Sequence, residues 1–426
     1  MSKSKKPSKS VKPDKTSKIS KINYPYSNEW DVSKLHVTFE IEKFPLSIIN
    51  SIRRTILSDV KTFTARCIPY KQSTIEIIKN DSPLTAQIIQ HRISLIPLNI
   101  TDEDFPIDDY EFIIDITHKE NKFRKITTND IQVKDLKNGS FLPKNEASKF
   151  FFKHPLLKTD IIITKLKPVY TNNNPSIFES NTNALKFHIK FKAILQSGSD
   201  NSCHMPQSAI SCFFKENPEL VEKARIEYIK NETEKFNKNE LTPISKEELT
   251  KIFDTSFKQR YYYKDDKGEP NHFVFLIESV GVIPPLVIFH RGCKELVTRI
   301  NNFELNLKSN NTNIINVKPS SNIMNGFEII VESEDDTLGN IIQDHISNKY
   351  CNDEQDDIVD FISYKRTHPL ENTIIFNISS SKYKNIDSLI ESVFVPSCQS
   401  IVRKIKSLQS NLEETSNYIR EIKSCK

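Results

Sequence analysis

Glycine is the scarcest informative residue: the 426-residue chain has seven, and the two nearest to each other, Gly281 and Gly292, lie eleven positions apart. A phosphate-cradling loop needs several glycines close together so that backbone N–H groups can approach the anion. The spacing therefore excludes P-loop and dinucleotide-fold chemistry. There is no C-x-x-C pair, no H-E-x-x-H and no G-x-S-x-G, so zinc-protease and nucleophile-elbow chemistry are excluded as well. The seven cysteines are scattered and odd in number, which fits free thiols in a reducing compartment. Cys203-His204 with Cys212 comes nearest to a ligand cluster but lacks paired short spacing, so no metal is expected. No apolar run approaches the roughly 20 residues that span a bilayer. The N-terminus has no apolar segment of a secretory signal.

What is present is unevenly placed. Residues 1–21 hold eight lysines and one acid, a +7 contribution to a whole-chain charge of +5, so the rest sums to −2. The folded body is thus expected to make no direct DNA contact. Residues 1–27 are expected to form a disordered tail, a solvated arm or a localisation or loose nucleic-acid element.

Leu35–Ile41 alternates with period two and predicts a strand. Pro45 opens a helix whose Ile48, Ile49, Ile52 and Ile56 recur at helical spacing, with Asn50, Ser51, Arg53 and Arg54 largely off that stripe. Residues 74–78 and 93–98 predict strands around a helix started by Pro83 and bearing His91. Strands follow at 110–116, 160–166 and 185–195, with an Asn-rich loop at 171–175. The charged stretch 217–258 predicts a peripheral helical insertion. His272–Val280 predicts a strand, followed by a helix with Leu296, Ile300, Phe303 and Leu307 on one face. Residues 308–322, rich in Asn and Ser, predict a linker. The opening pattern then recurs: a strand at Phe327–Val331, an acidic loop, and a helix capped near Thr337 with Asn340 on its first turn and Leu338 and Ile342 on its stripe. A last helix carries Ile401, Ile405, Leu408 and Leu412, and the run before it is expected to break at Pro396. An apolar face on each copy suits two units that pack together.

These segments resemble the alpha-like proteins of multi-subunit RNA polymerases, which include bacterial alpha, its archaeal D-like counterpart and the third-largest component of RNA polymerase II. Asn50-Ser51-Ile52-Arg53-Arg54 resembles the family's N-S/A-I/L-R-R helix. His91–Leu98 resembles H-R-L-G-L-I-P-L, with Ser94 at the usual glycine. Glu278–Pro285 resembles E-S-V-G-S-I-P-P, which leads into the family's dimerisation helix. Asp336–Ile342 and Ser363–Glu371 are similar to H-T-L-G-N-L-L/I and G-Y-K-V-P-H-P-L-E of the family's small partner, the archaeal L-like protein and its relatives. The family makes these halves as separate chains; joined halves are a feature of large cytoplasmic DNA viruses. Its metal-binding cysteine clusters are missing here.

The resemblance implies an α+β fold: two dimerisation units, antiparallel strands packed on helices, forming an intramolecular pseudo-dimer with a mostly β insert domain in the first half. The expected boundaries are 28–66 with 268–307 for the first unit, 67–267 for the insert, and 323–426 for the second unit. Ile49, Ile52, Ile56, Leu296, Ile300, Phe303, Leu338, Ile342, Ile401, Ile405 and Leu408 are the expected dimerisation residues. Asn50, Ser51, Arg53, Arg54, His91 and Arg92 would face the second-largest subunit, and Thr337, Asn340, His368 and Glu371 the largest. Small accessory subunits would complete the partners, with no homodimer and no membrane contact.

The metal-holding D-x-D-x-D run of this polymerase class, which belongs to the largest subunit, is absent, so no catalytic residue and no cofactor is expected. The implied function is a non-catalytic assembly platform for transcription, in virion and host cytoplasm if viral, in the nucleus if cellular. Two rival readings are a free-standing nucleic-acid-binding regulator acting through the lysine tail and an independent metal-dependent enzyme.

Overall fold

The computed structural model describes residues 18–24, 35–153, 157–169, 184–239, 245–309, 314–320, 323–351, 358–383 and 385–424. The tail before Lys18, the loop 171–175 and parts of the expected linker lie outside them. The first half opens with β1 (Lys18–Asn23), β2 (His36–Glu42) and α1 (Leu46–Ser58). There follow β3 (Lys61–Ala65), β4 (Ile75–Asn80), α2 (Ala86–Ser94), β5 (Tyr110–His118), β6 (Arg124–Thr127), β7 (Gln132–Asp135), α3 (Lys144–Ala147), β8 (Ile162–Leu166), β9 (Leu185–Phe191) and β10 (Ala193–Ser197). The half closes with β11 (Gln207–Phe214), α4 (Pro218–Asn239), α5 (Lys246–Ser256), β12 (His272–Ser279) and α6 (Pro285–Lys308). The second half runs β13 (Ile315–Pro319), β14 (Gly326–Glu332), α7 (Asp336–Ile346), β15 (Phe361–Arg366), β16 (Thr373–Ser379), α8 (Ile386–Leu389), α9 (Val395–Glu413) and α10 (Ser416–Ser424).

The chain traces one path twice. The antiparallel sheet β1-β2-β12-β11 corresponds strand for strand to β13-β14-β16-β15. In each unit the second strand feeds a short helix (α1 or α7), and the last-paired central strand feeds a long one (α6 or α9). A separate insert, β3 to β10, folds around its own core through the sheet β4-β9-β5-β7 and the ribbons β3-β10 and β6-β8.

Both units share a single apolar interior. Ile49, Ile52 and Ile56 of α1, Leu296, Ile300 and Phe303 of α6, Leu338 and Ile342 of α7, and Ile401, Ile405 and Leu408 of α9 all belong to one buried cluster. The rings show how it is built. Phe39, Phe275 and Phe289 pack within the first unit at centroid distances of 5.0–5.6 Å. Phe303 reaches Phe376 of the second unit at 6.1 Å. Where α1 passes α6, Gly292 leaves room for the Ile56 side chain, which a β-carbon there would overlap.

The structure corrects the sequence reading in five places. Lys18–Asn23 is not tail: it pairs with β2 and buries Ile19. It carries Lys18 and Lys21, and lysines suit an edge strand because they discourage further pairing. Residues 93–98 do not form a strand; Ile93 and Ser94 end α2, and Leu98 makes one isolated bridge to Phe151. Part of the expected linker, Ile315–Pro319, is β13, paired along β14. The α4–α5 pair interrupts the β11–β12 hairpin of the first unit rather than the insert, while β3, expected in that unit, pairs with β10 of the insert. Finally, Pro396 does not break its helix. A π-helical turn, Ile390–Phe394, precedes it, with the Val395 N–H bonded to the Ile390 carbonyl. Pro396 then sits at the start of α9, where a missing N–H costs little.

Candidate docking site at the seam between the halves

The seam begins where α1 crosses α7. Ser47 Oγ donates to Asp344 Oδ2 (2.5 Å) and Ser51 Oγ to the Thr337 carbonyl (3.2 Å). Arg54 Nε donates to Thr337 Oγ1 (2.8 Å), with its outer nitrogen 3.4 Å from Asp335. Asp335 in turn caps α7, accepting the Thr337 N–H at 2.8 Å. Arg299, on α6, enters the same cluster, 2.6 Å from Glu334, 2.7 Å from Asp335 and 3.5 Å from Asp59.

Burial opposes the charges here, and the pairing decides the outcome group by group. Burial works against the Arg299 charge, but Glu334 and Asp335 outweigh it and hold its pKa above the ordinary value. Burial alone would raise Asp335; Arg299 and the Thr337 N–H keep it below the usual carboxylate range. Glu334 is buried deeply enough that its pKa stays raised despite Arg299. The guanidinium lies 2.6 Å from the Glu334 carboxylate, a charge-assisted contact that offsets part of the burial.

The other side of the seam joins α6 to α9 and α10. Glu421 accepts the Leu286 N–H (2.8 Å) at the start of α6 and the Tyr24 hydroxyl (2.7 Å). Burial raises its pKa to about 7. His290 Nε2 lies 2.7 Å from Glu413, and the Gln409 side chain donates to the His290 carbonyl. A helix start in one half is therefore completed by a carboxylate from the other.

His345, on α7, has a buried Nε2 with no hydrogen-bond partner among the described residues. Burial, then the charges of Lys404 and Lys349, lower its pKa to about 4. In the unfolded chain a histidine titrates near 6.5. Below that pH the unfolded state takes the proton first, so stability present above 6.5 is lost as pH falls towards 4. We expect His345→Leu to remove a loss of roughly 2–3 kcal/mol between pH 7 and pH 4, measured by urea unfolding at several pH values. An unchanged slope would remove His345 from the account.

The residues assigned to docking divide into two groups. Arg54 and Thr337, assigned to different large partners, bond to each other, and Thr337 is buried, as is Ser51. Those three serve the seam: the Ser51 and Thr337 hydroxyls are buried there, and the Arg54 guanidinium spends its contacts on Thr337 and Asp335. Asn50, Arg53 and Asn340 are half-buried, and Asn50 Oδ1 accepts both bonds from Arg53. His91 and Arg92 are exposed on α2 of the insert; Arg92 donates to the Ile163 carbonyl. His368 and Glu371 are exposed in the β15–β16 loop, where Leu370 projects into solvent. Sequence reasoning missed Arg299, Asp335 and Glu421. An arginine within the apolar pattern of α6, and an acidic pair directly before a helix, were the available signals.

Cys203 and Cys212 have thiol pKa values raised by burial to about 11 and about 12, and the buried His204 turns Nδ1 to the Thr62 carbonyl. Among the described residues these three do not come together as a set of ligand atoms. Glu40, Glu42 and His272 come together on the first sheet, but Glu40 already meets Lys215 (2.8 Å), Lys21 (3.1 Å) and His272 (3.0 Å). Two ammonium groups at one carboxylate make this an ion-pair network.

A fold of two α+β units closed on each other through helices, with a β insert in one, defines a dimerisation protein contained in one chain. The chain belongs to the RNA polymerase Rpb3/Rpb11 dimerisation-domain family, whose models match residues 38–300 and again residues 327–414. It is 22% identical over 315 residues to the RPAC1 subunit of RNA polymerases I and III of Saccharomyces cerevisiae, covering 63% of this chain and 88% of that one. It is 23% identical over 285 residues to RNA polymerase subunit Rpo3 of Methanobrevibacter smithii, covering 63% and 92%. Against Rpo3 of Pyrococcus horikoshii identity is 36% over 75 residues, 18% of this chain; the match spans about a quarter, 26%, of that relative's length.

Proposed function

We propose that this chain is a non-catalytic assembly subunit of a multi-subunit DNA-directed RNA polymerase, holding the two largest subunits. The observation that carries the reading is the pair of family matches in one chain, together with the single interior their helices share. The yeast relative is by name a subunit of RNA polymerases I and III, and the archaeal relatives are named as DNA-directed RNA polymerase subunits. Joining the halves fixes one-to-one pairing and replaces a bimolecular association with an intramolecular one, at an effective concentration of roughly millimolar. The tandem arrangement and the Asn-, Ile- and Lys-rich sequence support a large DNA virus as the source, with the virion and host cytoplasm as the sites of action. Small accessory subunits complete the assembly, and the pairing of the two units within one chain, in place of two copies, supports a chain that is not a homodimer.

The residues left outside the buried seam, exposed or half-buried, carry the docking. Arg53, His91 and Arg92 face the second-largest subunit; Asn340, His368 and Glu371 face the largest. We expect Arg53→Ala with His91→Ala and Arg92→Ala to cut recovery of the second-largest subunit on a tagged chain several-fold. His368→Ala with Glu371→Ala acts likewise on the largest, and both variants keep the parent's thermal melt. Arg54 is left intact because its loss would disturb the seam. Quantitative mass spectrometry of the purified complex reads the result. Unchanged recovery in both variants sinks the docking assignment, and absence of both large subunits from the parent complex sinks the function.

A further inference from the structure

The insert carries a surface that the assembly role does not use. β6 and β8 form a two-stranded ribbon whose inward residues, Ile126, Ile163 and Leu166, join the insert core. On its outward face Lys125 stands directly across from Lys165, both exposed. Like charges placed opposite each other destabilise a ladder. Phe123 immediately precedes β6 and Lys167 immediately follows β8, at the end where Arg124 pairs with Leu166. Phe123 is 71% exposed, an unusual placement for a phenyl ring. The turn before it adds Lys119 and Lys122. That turn is held in place by His118 Nε2 bonding with the Lys122 carbonyl (2.8 Å) and by the Val169 N–H donating to the Glu120 carbonyl (3.0 Å).

The local charge is almost entirely of one sign. Arg124 is neutralised by Asp130 at 2.7 Å, and Glu120 is the acidic residue of residues 119–125 and 162–167. Among the described residues, Lys119, Lys122, Lys125, Lys165 and Lys167 enter no ion pair. A body that sums to −2 hides this patch, because the sum averages over some four hundred residues. A solvated face gains nothing from opposed lysines and a bare phenyl ring. A partner that offers closely spaced negative charge and flat π faces gains from both.

We propose that the outward face of the β6–β8 ribbon binds single-stranded nucleic acid, with Lys125, Lys165 and Lys167 on successive phosphates and Phe123 stacked on a base. Unpaired bases expose the faces that an aromatic side chain can cover, whereas a duplex keeps them inside its stack. An acidic protein segment would satisfy the lysines but would give Phe123 no series of π faces. The expectation of a body without nucleic-acid contact is replaced, for this face, by a local one.

The test uses the purified full chain and fluorescence anisotropy with labelled 20-mers of deoxythymidine and of uridine, a duplex of equal length, and a poly-glutamate peptide. The lysine tail is present in every variant, so its contribution cancels in comparison. Lys125→Ala with Lys165→Ala and Lys167→Ala should weaken single-strand binding about tenfold or more. It should also lower the slope of log affinity against log salt by about 2, near 0.7 for each lost phosphate contact. Phe123→Ala should weaken binding by about tenfold with the slope unchanged, and Phe123→Tyr should restore it. All four positions are solvent-facing, so circular dichroism and melting should match the parent. Loss in the triple variant, loss without slope change in Phe123→Ala, and preference for the single strands together support the proposal; the two single-strand arms report whether RNA or DNA is preferred. Unchanged affinity in both variants would overturn it and assign binding to the tail. Equal loss on duplex or poly-glutamate with a silent Phe123→Ala would also overturn it, leaving a general polyanion surface.

Discussion

Arg299→Ala is expected to destabilise the chain by about 3–5 kcal/mol, the cost typical of stripping one partner from a buried charge cluster. The guanidinium holds Glu334 and Asp335 from the other half and Asp59 from its own. Without it, two half-buried carboxylates face each other. One of them, Glu334, already has its pKa raised by burial, and loss of the guanidinium that opposes this raises it further. Glu334→Gln should therefore recover part of the loss, as the repulsive partner is removed. The pH dependence has a definite sign. Asp335 is held below its unfolded value near 3.9, so the stability it contributes is present above that pH and lost as pH falls through its folded value. In Arg299→Ala that acid-side loss should shrink, because the charge that depresses Asp335 is gone. Urea unfolding of the parent, Arg299→Ala and the double variant between pH 3 and pH 7 measures all of this. A change under 1 kcal/mol at pH 7 would mean the cluster is solvated rather than structural.

Separating the halves is the second large effect. Residues 314–426, made alone, should be insoluble or aggregated, and co-expression with residues 1–309 should restore a soluble pair. Leu338 and Ile342 of α7 and Ile401, Ile405 and Leu408 of α9 would otherwise meet water. Each fully buried side chain of this size is worth about 1.5–3 kcal/mol of transfer free energy, so the five together are comparable to the whole stability of an ordinary domain. Small-angle scattering and analytical centrifugation of the second piece read the outcome. A monodisperse, cooperatively melting fragment would contradict the shared interior.

Local periodicity carried much of this fold. The stripe Ile48, Ile49, Ile52 and Ile56 and the repeat of strand, loop and helix around Phe327–Ile346 were legible because a 3.6-residue period is written in neighbouring residues. β1 was not, because Lys18 and Lys21 gave it the composition of the tail it adjoins. Its fate is decided by an edge of β2 that a reader of residues 18–23 cannot see. Pro396 misled for a different reason. A proline removes one hydrogen bond, but whether the helix ends depends on the turn before it, and the π turn at Ile390–Phe394 carries the chain through. The seam was half legible. The motif helices singled out Arg54 and Thr337, yet their contact with each other spans 283 positions of sequence. Residue spacing holds no information on such a meeting. Arg299 and Glu421 went unnoticed because each completes a helix or charge cluster supplied by the opposite half.

The link from Ser47 to Asp344 spans 297 positions, and it sets a timetable for synthesis. Ribosomes add about 5–20 residues per second, so α1 leaves the ribosome roughly 15–60 seconds before the helix that will cover it. Until α6 and then α7 emerge, the nascent chain displays a strip of isoleucines that the finished fold buries. A chaperone that shelters the growing chain, or a slow-folding insert that screens the strip, becomes part of how the molecule is made.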